Sequence, residues 1–237
     1  MVASTGLIVV QFVFSILGFR FSMDVVNGTT LVGDPLSGIA MSPQLVLLPG
    51  ITAHTGHSLL FDGTNSVDFG NHDLECLGNL ERCPEGITIA AWLKVGTKAS
   101  VNPEWYYVTA GGHTFRSHGW TWYQRYGKFN FAAKTTTTRW SVASISLPTE
   151  TWVHVITSWN AADGIKVYVN FSLNKTITSA TSRSSQQNLY KFTLAGVYQI
   201  NDGQLKKFGN FTIDELKILR KSVTSDIIKE IQLSTIS

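Results

Sequence analysis

The chain has 237 residues, 43% of them hydrophobic, 11% aromatic and only 15% charged, with a formal net charge of +3. That length suits one large domain, and low charge with high apolar content excludes a disordered chain. So small a positive surplus does not point to nucleic acid, and two cysteines are too few for a zinc cluster or a disulfide-dense miniprotein.

Residues Leu7 to Phe19 (LIVVQFVFSILGF) make a 13-residue, mostly apolar run. A membrane span needs about 20 apolar residues, whereas the core of a secretory leader needs roughly 7 to 15. The run therefore reads as a signal peptide over residues 1–22, cleaved between Gly18 and Ser22, with the folded domain over 23–237. A buried N-terminal strand or an uncleaved anchor is the alternative, and the leading MVAST lacks the usual basic residue. No other stretch is long and apolar enough to span a bilayer. Export gives other residues a meaning. Asn27, Asn170, Asn174 and Asn210 each open an Asn-X-Ser/Thr glycosylation acceptor, and a glycosylated Asn must face solvent. Cys76 and Cys83 enclose the loop CLGNLERC. In an oxidising compartment they are expected to bond to each other, a staple worth roughly 2–3 kcal/mol by chain entropy. Free thiols or a bond to another chain are the alternatives.

After residue 30, short apolar runs alternate with Gly, Asn or Asp turns. Strands are expected at Gln44–Leu48, Ser58–Phe61, Ser66–Phe69, Ile87–Val95, Trp105–Thr109 and Trp120–Gln124. Further strands are expected at Lys128–Ala133, Arg139–Ile145, Trp152–Trp159, Ile165–Val169, Lys191–Val197 and Phe211–Leu219. Most are rich in β-branched and aromatic residues. Asp62-Gly63-Thr64-Asn65, Arg125-Tyr126-Gly127-Lys128 and Asp163-Gly164 predict hairpin turns. In Ile87–Val95 the odd positions form one apolar face, so Trp92 points to the other. Trp152–Trp159 is partly apolar on both faces, which predicts a central strand or one covered on its outer side too. The one convincing helix follows Ser222 or Thr224 as cap, with Asp226 in its first turn and Ile227, Ile228 and Ile231 as an apolar stripe. The fold class is all-β: an antiparallel two-sheet jelly-roll sandwich with one short C-terminal helix.

The order of motifs then resembles the laminin G-like and pentraxin-like branch of the concanavalin A-like lectin/glucanase superfamily. His57-Ser58-Leu59-Leu60-Phe61-Asp62-Gly63-Thr64 with Ser66-Val67-Asp68-Phe69 resembles the family's entry motif, and GITIAAWLKV (Gly86 to Val95) its next strand. Gly119 to Phe131 resembles a family hairpin, and Trp152-Val153-His154-Val155 its "WxHVA" strand. Gly164 to Asn170 resembles "GxxxYVNG", except that Phe171 stands where the family has Gly. Phe211 to Ile218 resembles the closing strand, and Ser222 to Ile231 the trailing helix. The resemblance covers about residues 40–232.

It implies a secreted, non-catalytic binding module for an extracellular glycan or glycoprotein. It also implies calcium as a cofactor, with Asp214 as a ligand and Asp34, in GDPLSG, as its partner. From the residues themselves, aromatic side chains beside turns suit sugar stacking. Of the cluster Trp105, Tyr106, Tyr107, Trp120, Trp122 and Tyr126, Trp105 and Tyr126 adjoin predicted turns and are the ligand-binding candidates. Lys206, Lys207, Lys217, Arg220 and Lys221 concentrate near the C-terminus and offer a face for a sulfated glycan, or simply a solvated surface. Thr135 to Thr138, between Lys134 and Arg139, reads as a polar loop or hairpin edge. There is no carboxylate triad on a strand, no GxSxG and no HExxH, so no catalytic residue is expected. The alternatives are a structural or adhesive module, homo-oligomeric as pentraxins are, and a glycan hydrolase.

Overall fold

The computed structural model of the chain describes residues 17–24, 26–27, 30–32, 38–40, 45–51, 56–97, 104–113, 117–184, 191–198 and 204–236. In chain order the first strands are β1 (Leu17–Phe21), β2 (Val26–Asn27), β3 (Thr30–Leu31), β4 (Gly38–Ala40), β5 (Val46–Pro49), β6 (His57–Asp62) and β7 (Val67–Asn71). Then come β8 (Ile87–Val95), β9 (Glu104–Gly111), β10 (Gly119–Arg125), β11 (Lys128–Lys134), β12 (Thr138–Ile145), β13 (Trp152–Asn160) and β14 (Gly164–Val169). The last are β15 (Ser172–Ile177), β16 (Thr181–Ser182), β17 (Lys191–Leu194), β18 (Val197–Tyr198), β19 (Leu205–Lys206), β20 (Asn210–Leu219) and the helix α1 (Ser225–Ile236).

Two large antiparallel sheets stack face to face. The eight-stranded sheet runs β15-β14-β13-β8-β20-β6-β5, with β1 also paired to β20. The ten-stranded sheet runs β16-β12-β11-β10-β9-β17-β7-β4-β3-β2. Period-two alternation sends one row of each strand into the space between them. Ile87, Ile89, Leu93, Val153, Val155, Ile213 and Ile218 enter from one sheet, and Trp120, Trp122, Phe129, Phe131, Phe192 and Leu194 from the other. Trp122 spans the gap, its Nε1 donating to Thr157 Oγ1 of β13 at 2.7 Å.

β13 is central, as its two apolar faces require, and its outer face is covered by α1. Ile228 and Ile231 pack there with Ala90, Ile156, Leu219 and Val223. Trp92 points away from the core, as predicted, and meets His154 edge-on at 5.0 Å. The Asn170–Phe171 turn forms although Phe replaces Gly: both residues sit at positive φ, 49° and 64°. Left-handed backbone in a bulky residue costs about 1–3 kcal/mol. The Phe171 ring offsets part of this by stacking on His154 at 4.3 Å.

One expectation changes. Asp62-Gly63-Thr64-Asn65 is not a hairpin: β6 pairs with β5 and β20, whereas β7 pairs with β4 and β17, so the turn crosses between sheets. Asp62 still ties the turn locally, accepting from the Thr64 backbone N–H at 2.9 Å. Turn chemistry fixes a reversal of direction, not which sheet receives the next strand. Leu17–Phe21 pairs with β20 from Leu17↔Leu219 to Phe21↔Leu216, and Phe19, Phe21 and Met23 are 4%, 0% and 0% exposed. The last residues of the apolar run thus form a buried strand.

Removing two buried Phe rings costs about 3–5 kcal/mol each, comparable with the whole stability of a domain. A chain beginning at Leu17 is therefore expected to unfold cooperatively on heating, and one beginning at Met23 is not. Equal melting curves would contradict the assignment of β1 to the core.

His154 yields a second prediction. It is fully buried, and neither ring nitrogen has a hydrogen-bond partner among the described residues. Burial, then the charge of Lys217, pushes its pKa down to about 3. The unfolded chain takes up this proton near pH 6.5, so between about 6.5 and 3 the unfolded state binds more protons and stability falls as pH falls. Relative to His154→Phe, the native chain is expected to lose on the order of 3 kcal/mol between pH 7 and 4 in denaturant titrations. A pH-independent difference would contradict it.

Candidate functional site

Cys76 and Cys83 form the expected disulfide, with an S–S distance of 2.11 Å. The loop it closes carries a single turn of 3₁₀ helix, Leu80–Arg82, and is pinned to the core where Trp120 Nε1 donates to Leu77 O at 2.7 Å. A depression of about 440 Å³ beside it is lined in part by Glu75, Arg82, Glu85 and Arg220. Its mixed charges and lack of an aromatic platform do not suit a sugar.

Asp214 is buried on the outer side of β20, opposite Trp92. Its carboxylate accepts the Ile51 N–H at 3.1 Å and the Glu215 N–H at 2.8 Å. A bulge follows, with Glu215 at φ 48°. The Glu215 carboxylate pairs with Lys217 at 3.2 Å and with Arg20 of β1 at 3.4 Å. This is a carboxylate bonded to backbone beside a buried ion pair, and among the described residues no group of three or more metal-binding side chains gathers. Calcium wants six to eight oxygens, carbonyls included; both Asp214 carboxylate oxygens already accept backbone N–H groups. Asp34 lies outside the described residues, so its pairing with Asp214 rests on sequence alone.

The two aromatic candidates separate. Trp105 is 6% exposed and packed in the inter-sheet core, whereas Tyr126 is 72% exposed. Tyr126 sits at the tip of the β10–β11 hairpin, at φ 51° beside Gly127, with the Arg125 guanidinium 5.3 Å from its ring. Asn170 and Asn174 are exposed, on the turn and strand of the β14–β15 edge, and Asn210 is half-buried. Asn170 Oδ1 accepts the His154 N–H at 3.0 Å. Of Asn27 only the backbone is described. The C-terminal basic residues do not form one patch: Lys207 pairs with Glu104 at 2.6 Å, Lys217 with Glu215, and Lys221 with Glu85 at 3.6 Å.

The register brings together residues that the sequence leaves apart. Trp120 and Trp122, Phe129 and Phe131, and Val108 and Ala110 face the core, so their neighbours face outward from the ten-stranded sheet. Thr193, Thr109, Thr121, Ala132 and Ser141 are successive cross-strand partners and form a floor of small side chains across five strands. Thr121 is 1% exposed, and its Oγ1 has no hydrogen-bond partner among the described residues. One flanking row is Tyr106, Tyr123 and Asn130, the two tyrosine rings stacked at 5.8 Å. The other is Gly111, Gly119, Lys134 and Arg139. Flanking rows four residues apart along a strand are about 13 Å apart. The result is a shallow trough with tyrosines on one side and cations on the other, of which Tyr123, Ser141 and Arg139 are partly exposed, whereas the threonines, Asn130 and Lys134 are buried.

Charge is concentrated on the cationic side. Lys134 is 4% exposed. Desolvation, then the charges of Arg139 and Arg183, pushes its pKa down to about 7, with Glu104 offsetting a little. The Arg183 guanidinium donates to Ser117 O at 2.8 Å. Arg139 is half-buried, its Nε shielded and without a hydrogen-bond partner among the described residues. His113 lies edge-on to Tyr106 at 6.1 Å. Burial, then Lys134, pushes its pKa down to about 4, so it is neutral at physiological pH.

Comparison with known proteins agrees with this architecture. A laminin G family model, described as the concanavalin A-like lectin/glucanases superfamily, matches residues 61–229. The adhesion G-protein coupled receptor D1 of Homo sapiens is 28% identical over 170 residues, which are 70% of this chain and 18% of the receptor. That of Bos taurus is 28% identical over 174 residues, 70% of this chain and 17% of the receptor. The chain thus spans less than a fifth of the length of the curated relatives it matches. A solved structure concerned with cell entry of botulinum neurotoxin type C through two ganglioside molecules superposes with a TM-score of 0.62 at 13% identity, over 95% of this chain and 52% of that one. Trypanosoma rangeli sialidase, in complex with a difluorinated nononic acid, superposes with a TM-score of 0.60 at 12% identity, over 93% of this chain and 33% of that one. Such identities show a shared fold. The strand order, the closing helix and the matched span together place this chain in the laminin G-like family of the concanavalin A-like lectin/glucanases superfamily.

Proposed function

We propose that the chain is an extracellular, non-catalytic recognition module that binds a glycan across the outer face of its ten-stranded sheet. The trough carries this reading. Sugars present an apolar ring face and a rim of hydroxyls, and a site for them combines an aromatic platform with placed polar groups. Tyr123, half-exposed and backed by Tyr106, supplies the platform, and the half-exposed Ser141 and Arg139 supply polar partners beside it. Support comes from the neighbours: the toxin is described with gangliosides and the sialidase with a nononic acid.

Two carboxylates that face outward from this sheet are engaged elsewhere. Glu104 pairs with Lys207, and Asp68 accepts from Lys191 at 3.2 Å and Tyr198 at 2.7 Å. Glycoside hydrolysis needs two carboxyl groups set across the scissile bond, and neither of these is poised for it. Exposure of Asn170 and Asn174 on an edge hairpin, and the Cys76–Cys83 bond, suit an exported glycoprotein.

A glycan array probed with the chain, with and without calcium, tests the reading. Binding is expected in at least one condition, with Tyr123→Ser lowering affinity about tenfold or more. Calcium dependence would support Asp214 and Asp34 as metal ligands. No glycan bound in either condition would overturn the proposal.

A further inference from the structure

The eight-stranded sheet ends on β15, and among the described residues no strand pairs with its free edge. An open edge is a template for pairing with another chain, and folded proteins blunt it with bulges, with lysines or with a cover. β15 has the first two. Val167 pairs with Lys175 and Tyr168 with Leu173, so Asn174 is the extra residue of a bulge and stands outside the ladder. Lys175, opposite the core-facing Val167, reaches over to the other sheet, its Nζ donating to Ala143 O of β12 at 3.0 Å. Yet Ser172, Leu173, Asn174 and Thr176 are exposed, Leu173 at 58%. Leu173 pairs with the half-buried Tyr168 and follows the half-buried Phe171 by two residues, an apolar strip along an unpaired edge.

We infer that Asn174 carries an N-linked glycan and that this glycan is the cover: it shields Leu173 and stops the eight-stranded sheet from extending into a second copy of the chain. This rests on the extracellular part of the reading above, not on ligand binding. Asn174-Lys175-Thr176 is a complete acceptor triplet. A bulge residue released from the ladder holds a bulky polar group in solvent at no cost in strand pairing. The side chains of two other acceptors are engaged with the fold. Asn170 Oδ1 accepts the His154 N–H at 3.0 Å, and its backbone sits at φ 49° in the tight turn. Asn210 is half-buried with its carboxamide against Gly96, where a Cβ would come within 2.5 Å of Oδ1. Asn174 has neither constraint: it is exposed on the outermost strand, beside the apolar side chain that needs covering.

The test expresses the full chain in mammalian cells. Occupied acceptors are mapped by enzymatic deglycosylation in heavy-oxygen water and mass spectrometry, and self-association is measured by analytical ultracentrifugation. Asn174 is expected to be occupied and the chain monomeric. Thr176→Ala abolishes the acceptor while leaving Asn174 and Leu173 in place, and is expected to tighten self-association by about tenfold or more. Adding Leu173→Lys to that variant is expected to restore the monomer. Should Thr176→Ala not be secreted, trimming the glycan from the folded native chain with an endoglycosidase gives the same comparison. Asn174 bare in the secreted chain, unchanged association once the glycan is gone, or association that persists with Leu173→Lys would each overturn the inference and leave the extracellular reading standing. A chain retained in the cytosol without any glycan would remove both.

Discussion

The structure depends on what becomes of the outer face of β13 and its neighbours. Ile156, Ala90 and Leu219 face away from the inter-sheet core yet are apolar, and water cannot be left against them without cost. The chain meets this by folding α1 back across them through Ile228 and Ile231. One sheet is therefore covered on both sides, and its outer surface is packing. The ten-stranded sheet has no such helix among the described residues; of its outward residues Tyr123, Ser141 and Arg139 are partly exposed, whereas Thr109, Thr121, Thr193 and Lys134 are buried.

β1 and the β20 bulge form a second dependency. β1 reaches β20 late in the chain, and Arg20 meets the Glu215 carboxylate that the bulge sets beside Lys217. A buried carboxylate left alone would cost several kcal/mol, so the strand and the ion pair support each other. The disulfide acts similarly: it shapes a surface loop whose Leu77 carbonyl takes the indole proton of Trp120, a ring at the centre of the core.

Much of the fold was legible because period-two alternation is written in single strands. Ile87–Val95, Trp152–Trp159 and the hairpin at Tyr126-Gly127 needed only local spacing, and the isoleucine stripe announced the helix. β1 was harder, because an apolar strand and the core of a secretory leader share a composition, and its partner β20 lies some two hundred residues away in the chain. Trp105 beside a turn looked available for a sugar, but its position in the alternation of β9 sends it inward. The trough was not legible at all. Each strand shows that Thr121 and Tyr123, or Asn130 and Lys134, lie opposite the buried rings. Which of them become neighbours is set by register across five strands, and Lys134 and Arg139 read in sequence merely as flanks of a threonine-rich turn.

The central claim is that ligand recognition belongs to the outer face of the ten-stranded sheet. The most direct test is a crystal structure of the chain with a glycan that it binds. Sugar density on the Tyr123 ring beside Ser141 and Arg139 is the predicted result. Density at the Tyr126 tip, beside Asp214 or along the disulfide loop, with the sheet face empty, would contradict it.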